Sequence, residues 1–263
     1  MMQKLIRSQM KPEIQVFAKL EALTHAAATE FVQKAQQAIQ AQGRFTVALS
    51  GGSTPKSLYA LLATQLWRDQ ISWNQVHLFW GDERHVPPND SSSNFRMAQE
   101  QLLFQVPIPQ ENVHRIKAEN SDAQAVAAEY ERDLKQFFQL GEHEFPRFDL
   151  VLLGMGANGH TASLFPGTAA VHEQTRLVVA PWVEELNSDR ITLTPPVINN
   201  ANTIIFFVTG VEKATTLKAV LEGQHQPDRL PAQIVHPAQG NVIWMVDQVA
   251  ARLLSTAVSL TPD

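Results

Sequence analysis

Residues Phe45 to Pro55 read FTVALSGGSTP, and the reading of the fold starts there. Five apolar or β-branched residues in unbroken succession describe a strand buried on both faces, the kind found in parallel sheets covered by helices. Two glycines then turn the chain tightly. Pro55 suits the first turn of a helix that carries Leu58, Leu61 and Leu62 on one side. Upstream, residues 24–42 place Ala28, Phe31, Val32, Ala35 and Ile39 on one helical stripe, with Thr24 as N-cap and Gly43 as the stop. Downstream the grammar repeats. VHLFW (Val76 to Trp80) precedes a polar loop and a helix from about Asn94, and FDLVLL (Phe148 to Leu153) precedes a glycine-rich turn. TIIFFVTG (Thr203 to Gly210) and NVIWMV (Asn241 to Val246) each lead into a helical segment. The pattern predicts an α/β fold with a mostly parallel sheet and helices on both faces. Ligands of such sheets bind beyond the carboxyl ends of the strands, so chemistry is expected in the loops after Ser50, Trp80, Leu153 and Thr209.

Composition narrows the classes of function. Of 263 residues, 21 are Lys or Arg and 26 Asp or Glu, for a net charge of −5. A mildly acidic chain has no broad basic face to displace counterions, so neither nucleic acid nor a membrane surface is an expected partner. With 44% hydrophobic and 18% charged residues, the chain can bury a substantial core. It has no cysteine, which removes disulfides, thiolate nucleophiles and iron–sulfur clusters together. No run approaches the roughly 18 apolar residues of a membrane helix, and the first residues lack an apolar segment of signal-peptide length. The expectation is a soluble, cytoplasmic, single-domain protein.

Four loops carry chemistry-bearing residues. In SGGSTP, Gly51 and Gly52 let the backbone turn while the N–H groups of the next helix start point outward, and Ser53 and Thr54 add hydroxyls; such a turn holds phosphate. WGDERHVP puts Asp82, Glu83, Arg84 and His85 directly after a buried strand, and the Arg84 guanidinium suits an oxygen on which negative charge develops. GMGANGHTASLFPG contains a literal G-x-G-x-x-G at Gly154, Gly156 and Gly159. Pro166 and Gly167 cut off any long helix there, and Glu173 precedes the next apolar run instead of ending a strand, so a dinucleotide site is not expected. The turn offers His160 instead, read as lying at a helix start, where a neutral imidazole takes a proton from water. Arg190 and Lys213, both near strand ends, are cations able to neutralise a phosphate dianion. There is no G-x-S-x-G elbow, no P-loop and no H-E-x-x-H, and the nine histidines show no metal-like spacing.

Taken in order, SGGSTP with its YALLA helix, FWGDERHVP…SN, DLVLLGMGANGHTASLFPG, RITLTPPVINNA and VTGVEKA resemble the 6-phosphogluconolactonases, from about Ala22 to the C-terminus. The resemblance implies a Rossmann-like fold, with residues 1–21 peripheral to a single domain spanning 1–263. It also implies hydrolysis of a phosphosugar lactone with neither metal nor organic cofactor, by a monomer or small homo-oligomer. His160 would be the general base, and Arg84 with Asp82 would hold the reacting end. Gly51, Gly52, Ser53, Thr54, Arg190 and Lys213 would grip the phosphate, with Asn158 among the binding residues. One departure stands out: relatives usually carry G-x-D-G-H, and the aspartate's place here is Asn158. The related sugar-phosphate deaminases follow their histidine with an acidic residue, where this chain has Phe165. A non-catalytic sugar-phosphate sensor remains open as a third reading.

Overall fold

The computed structural model describes residues 13–255 and 259–260. In chain order the elements are β1 (Glu13–Phe17), α1 (Leu20–Gln42), β2 (Phe45–Leu49), α2 (Ser53–Leu62), α3 (Gln65–Arg68), β3 (Val76–Trp80), β4 (Asp82–Arg84), α4 (Asn94–Ala98), β5 (Val113–His114) and α5 (Ala123–Phe138). There follow β6 (Leu150–Gly154), β7 (Val178–Val179), β8 (Trp182–Val183), β9 (Ser188–Leu193), α6 (Pro195–Asn199), β10 (Thr203–Val208), α7 (Ala214–Glu222), β11 (Asn241–Asp247), α8 (Gln248–Ala251) and β12 (Ser259–Leu260).

The main sheet has the order β12-β1-β11-β10-β6-β2-β3-β5, and every pairing in it is parallel. Connections out of β1, β2 and β3 run toward the β5 edge, while those out of β5, β6, β10 and β11 run back toward β12. Parallel crossovers are right-handed, so the two sets of helices cover opposite faces: α1, α2 and α4 on one, α5 to α7 on the other. The direction reverses between neighbouring strands β2 and β6. That is a topological switch point, where a crevice opens at the carboxyl edge. The expected α/β architecture is the one observed.

The five apolar runs read from the sequence all form strands of this sheet. Each of β2 and β10 is buried along its whole length, and full burial of one such side chain is worth about 1.5–3 kcal/mol. Phe206 and Trp244, register partners on β10 and β11, stack with ring centroids 3.9 Å apart. Gly43 stops α1 as expected, in the left-handed conformation (φ 77°) with its N–H on the Ile39 carbonyl.

Some expectations are corrected. The segment before residue 22 is not all peripheral: β1 lies inside the sheet, pairing Glu13–Phe17 with Ile243–Asp247, because Val16 and Phe17 are buried there. Residues 1–12 of that segment lie outside the described residues. Helix α1 begins at Leu20, not Thr24; the Thr24 hydroxyl donates back to the Leu20 carbonyl at 2.7 Å from within the helix. A second, antiparallel sheet of β4, β9 and β7, with β8 paired to β9, was not anticipated. It sits at the carboxyl edge of the first.

Candidate active site

The carboxyl ends of β2, β3, β6 and β10 bring the four expected loops to one edge. Helix α2 has no side-chain cap at its N-terminus, and Gly52 there takes φ 108°, a conformation natural only to glycine. The first N–H groups of a helix have no partner within it, and here Gly52 and Ser53 are exposed. Thr54 behaves differently from the expectation of a second free hydroxyl. It is buried, and its Oγ1 lies 3.0 Å from the Thr209 Oγ1, tying this turn to the end of β10. Five residues past the end of β10, after Gly210 (φ 101°), Lys213 closes a short 3₁₀ turn. Among the described residues the Lys213 ammonium meets no carboxylate.

The loop after β3 is built on a buried carboxylate. Glu83 accepts from the backbone N–H groups of Arg84 (2.8 Å), Asn94 (2.7 Å) and Phe95 (2.8 Å) and from the Ser93 hydroxyl (3.1 Å). It thus caps α4 and is an anchor, not a catalytic group. Burial raises its pKa, and those hydrogen bonds oppose the rise. Asp82 is also buried; its Oδ2 accepts from Ser163 Oγ at 2.7 Å, and Asn94 Nδ2 donates to its backbone carbonyl at 3.0 Å. Burial raises its pKa, against which Arg84, Ser163 and Arg190 act. The Asn94 side chain fills the space a Cβ on Gly51 would need, so Gly51 is required for close approach. His85, by contrast, leaves the site: its Nε2 meets the Asn120 carbonyl at 2.6 Å.

Arg84 and Arg190 are register partners across β4 and β9. The Arg84 guanidinium donates to the Ser92 carbonyl, and Arg190 donates to Ser188 Oγ and the Asp189 carbonyl, each at 3.0 Å. Neither forms an ion pair among the described residues. Burial, then repulsion from Arg84, lowers the Arg190 pKa. Two facing guanidiniums without a carboxylate between them seek an anion.

His160 stands against these cations. No helix begins here, contrary to expectation: Gly159 (φ 81°) and Ala162 (φ 46°) hold the segment in successive turns, with Thr161 Oγ1 bonded back to the Gly154 carbonyl at 2.9 Å. Gly156 leaves room for the ring, since a Cβ there would collide with the imidazole. The glycines that mimic a dinucleotide fingerprint therefore seat a side chain. Phe165 stacks on the imidazole with centroids 4.1 Å apart at 20°. Asn158 Oδ1 meets His160 Nδ1 at 2.6 Å and also the His160 N–H at 3.2 Å. The backbone donor identifies that atom as the amide oxygen, so Nδ1 carries the ring proton and Nε2 the lone pair. Burial, then the charges of Lys213, Arg190 and Arg84, lowers the His160 pKa to about 4. Near neutrality the ring is an unprotonated base.

Sequence reasoning thus named the imidazole and the three cations that the fold brings together, but missed their supports. Ser163 and Asn94 hold Asp82, and Glu185 Oε1 accepts from Asn158 Nδ2 at 2.9 Å. A serine in GHTAS and an asparagine after three serines carry no periodic signal, and Glu185 sits in a turn far along the chain. A cavity of about 780 Å³ lies beside this group, bordered by Asn158, Phe165, Trp182 and Glu185.

Fold and site define an α/β enzyme that gathers cations and one neutral imidazole at a switch point, as a small anionic substrate requires. The chain belongs to the family described as glucosamine-6-phosphate isomerases/6-phosphogluconolactonase, whose model matches residues 18–244. It is 40% identical over 246 residues to the 6-phosphogluconolactonase of Nostoc sp., covering 94% of this chain and 100% of that protein. To the one from Synechocystis sp. it is 39% identical, over 93% and 99% of the two chains. The solved 6-phosphogluconolactonase from Trypanosoma cruzi superposes with a TM-score of 0.84 at 30% identity, covering 94% of this chain and 98% of the other.

Proposed function

We propose that this chain hydrolyses 6-phospho-D-glucono-1,5-lactone to 6-phospho-D-gluconate, in the oxidative branch of the pentose phosphate pathway. His160 Nε2 takes a proton from water as the water oxygen attacks the C1 carbonyl. The carbonyl electrons move onto its oxygen, where the Arg84 guanidinium meets the developing charge. The intermediate collapses, the C1–ring oxygen bond breaks, and the imidazolium returns its proton to that oxygen. Lys213, Arg190 and the exposed N–H groups of Gly52 and Ser53 hold the phosphate; Thr54 contributes its N–H, and Asp82 supports the two arginines from beneath. Asn158 fixes the tautomer of the base. No step uses a metal or an organic cofactor, so chelation leaves the rate unchanged.

The observation that carries this reading is the gathering of three cations, none paired with a carboxylate among the described residues, beside one imidazole whose Nδ1 is already engaged. Phe165, stacked on the ring, has no proton to give, which disfavours an amino-sugar deaminase. All these residues come from one chain, so the reading holds for a monomer or a small homo-oligomer, and for the chain acting as one domain. Among the described residues no helix is long and apolar enough to cross a membrane, and a phosphorylated substrate that does not cross one unaided fits a cytoplasmic setting.

The test follows acid release from freshly generated phosphogluconolactone. The wild-type protein is expected to exceed spontaneous hydrolysis by a wide margin, and His160→Gln to lower kcat about 10²- to 10⁴-fold with KM little changed. A protein that adds nothing to the background rate, yet melts at a higher temperature with a phosphosugar present, is a sensor instead.

A further inference from the structure

We propose that Glu185 is a positioning residue for this hydrolysis, acting on the His160 imidazole through the side-chain amide of Asn158. The inference rests on the lactonase reading and extends it to a residue outside the reacting groups. Three side chains form an unbroken line: Glu185 Oε1 to Asn158 Nδ2 at 2.9 Å, and Asn158 Oδ1 to His160 Nδ1 at 2.6 Å. The polarity of the line is fixed, because Oδ1 also accepts the His160 backbone N–H and the NH₂ end must then face the carboxylate. An amide whose N–H binds a carboxylate is polarised, with more negative density on its oxygen. That oxygen is the partner of Nδ1–H. As Nε2 takes a proton and the ring becomes cationic, the line supplies stabilisation an isolated amide lacks.

The groups acting on the imidazole give this line its purpose. Lys213, Arg190 and Arg84 all oppose a positive ring. Asp82 is engaged by Ser163 on another side, and Glu184, the neighbour of Glu185, is occupied by the Trp182 indole at 2.8 Å. Glu185 is the one carboxylate joined to the ring by a hydrogen-bonded path among the described residues. Its turn, Glu184–Leu186, ends in left-handed Asn187 (φ 45°) and leads directly into β9, which carries Arg190. One hairpin therefore presents both a phosphate-seeking cation and the anion that supports the base.

The line also changes the expectation for Asn158→Asp. Taken without Glu185, an aspartate there leaves activity intact or raises it modestly; facing Glu185, it would set two carboxylates in contact, and like charges so close cannot both ionise without cost.

The test begins with wild-type hydrolysis above background, whose absence would remove the lactonase reading itself. Glu185→Gln, which keeps shape and removes charge, is expected to lower kcat about tenfold with KM within about twofold and an unchanged melting temperature. Its acid limb in the kcat–pH profile moves to lower pH. Asn158→Asp alone loses activity, and Asn158→Asp with Glu185→Gln regains wild-type kcat. In parallel, ¹⁵N-imidazole NMR of the substrate-free protein reads the ring directly: Nδ1–H in the wild type, and a lower titration midpoint in Glu185→Gln. Unchanged kcat, acid limb and midpoint in Glu185→Gln, or an Asn158→Asp variant indifferent to residue 185, overturns the proposal while leaving hydrolysis by His160 standing.

Discussion

His160 shows how neighbours tune a single residue. An imidazole ordinarily titrates near 6.5, and burial with three nearby cations brings this one down to about 4. A base works in its neutral form, so once ionisation of the substrate phosphate, at about pH 6, is divided out, kcat/KM should stay level from pH 7 down to about 5 and fall only on approach to 4. Bound phosphate cancels part of the cationic field, so the acid limb of kcat should lie at higher pH than that of kcat/KM; coincident limbs would separate the cations from the base. The same shift couples to stability. The unfolded chain binds this proton more readily between pH 6.5 and about 4, so the contribution of His160 to stability is lost as pH falls through that window. His160 and Arg84 were legible because their chemistry is rare after apolar strands. Glu185 was not, since nothing in a linear sequence marks a carboxylate that reaches across a turn to residue 158.

At the scale of elements, the strands after which the site is built were readable as continuous apolar runs, and the small antiparallel sheet was not. Strand β4 is Asp-Glu-Arg, which no hydrophobic pattern identifies; its partner β9 makes it a strand. The role of Glu83 belongs here too. Replacing it with alanine strips three backbone N–H groups and a buried hydroxyl of their acceptor, and should cost about 2–5 kcal/mol in denaturant unfolding, with Glu83→Gln costing less. Gly156→Ala is the complementary probe. Its φ is not in the left-handed region, so the added methyl meets the imidazole without backbone strain. The expected result is a kcat loss on the order of 10² from a displaced base, with little change in melting temperature. A variant that keeps full turnover would mean that the ring has room to spare.

For the molecule as a whole, a net charge of −5 coexists with a site where, among the described residues, Arg84, Arg190 and Lys213 form no ion pair with a carboxylate. Such a local positive field draws a dianion inward, and salt weakens it: kcat/KM should fall as ionic strength rises, and less steeply in Lys213→Ala. The order of the sheet was only partly legible, because the reversal between β2 and β6 depends on which strands pair, and β1 reads as five unremarkable residues until β11 offers it an edge. What the topology achieves is to set the glycine turn of α2 and the seat of His160 on neighbouring strands, with the cations of β4, β9 and the β10 loop around them. A crystal structure with 6-phosphogluconate examines that arrangement most directly. The expected map places the phosphorus among Lys213, Arg190 and the first turn of α2, and the product carboxylate within about 3 Å of His160 Nε2 and beside Arg84. A phosphate seated away from those cations, or a carboxylate out of reach of the imidazole, would contradict the account.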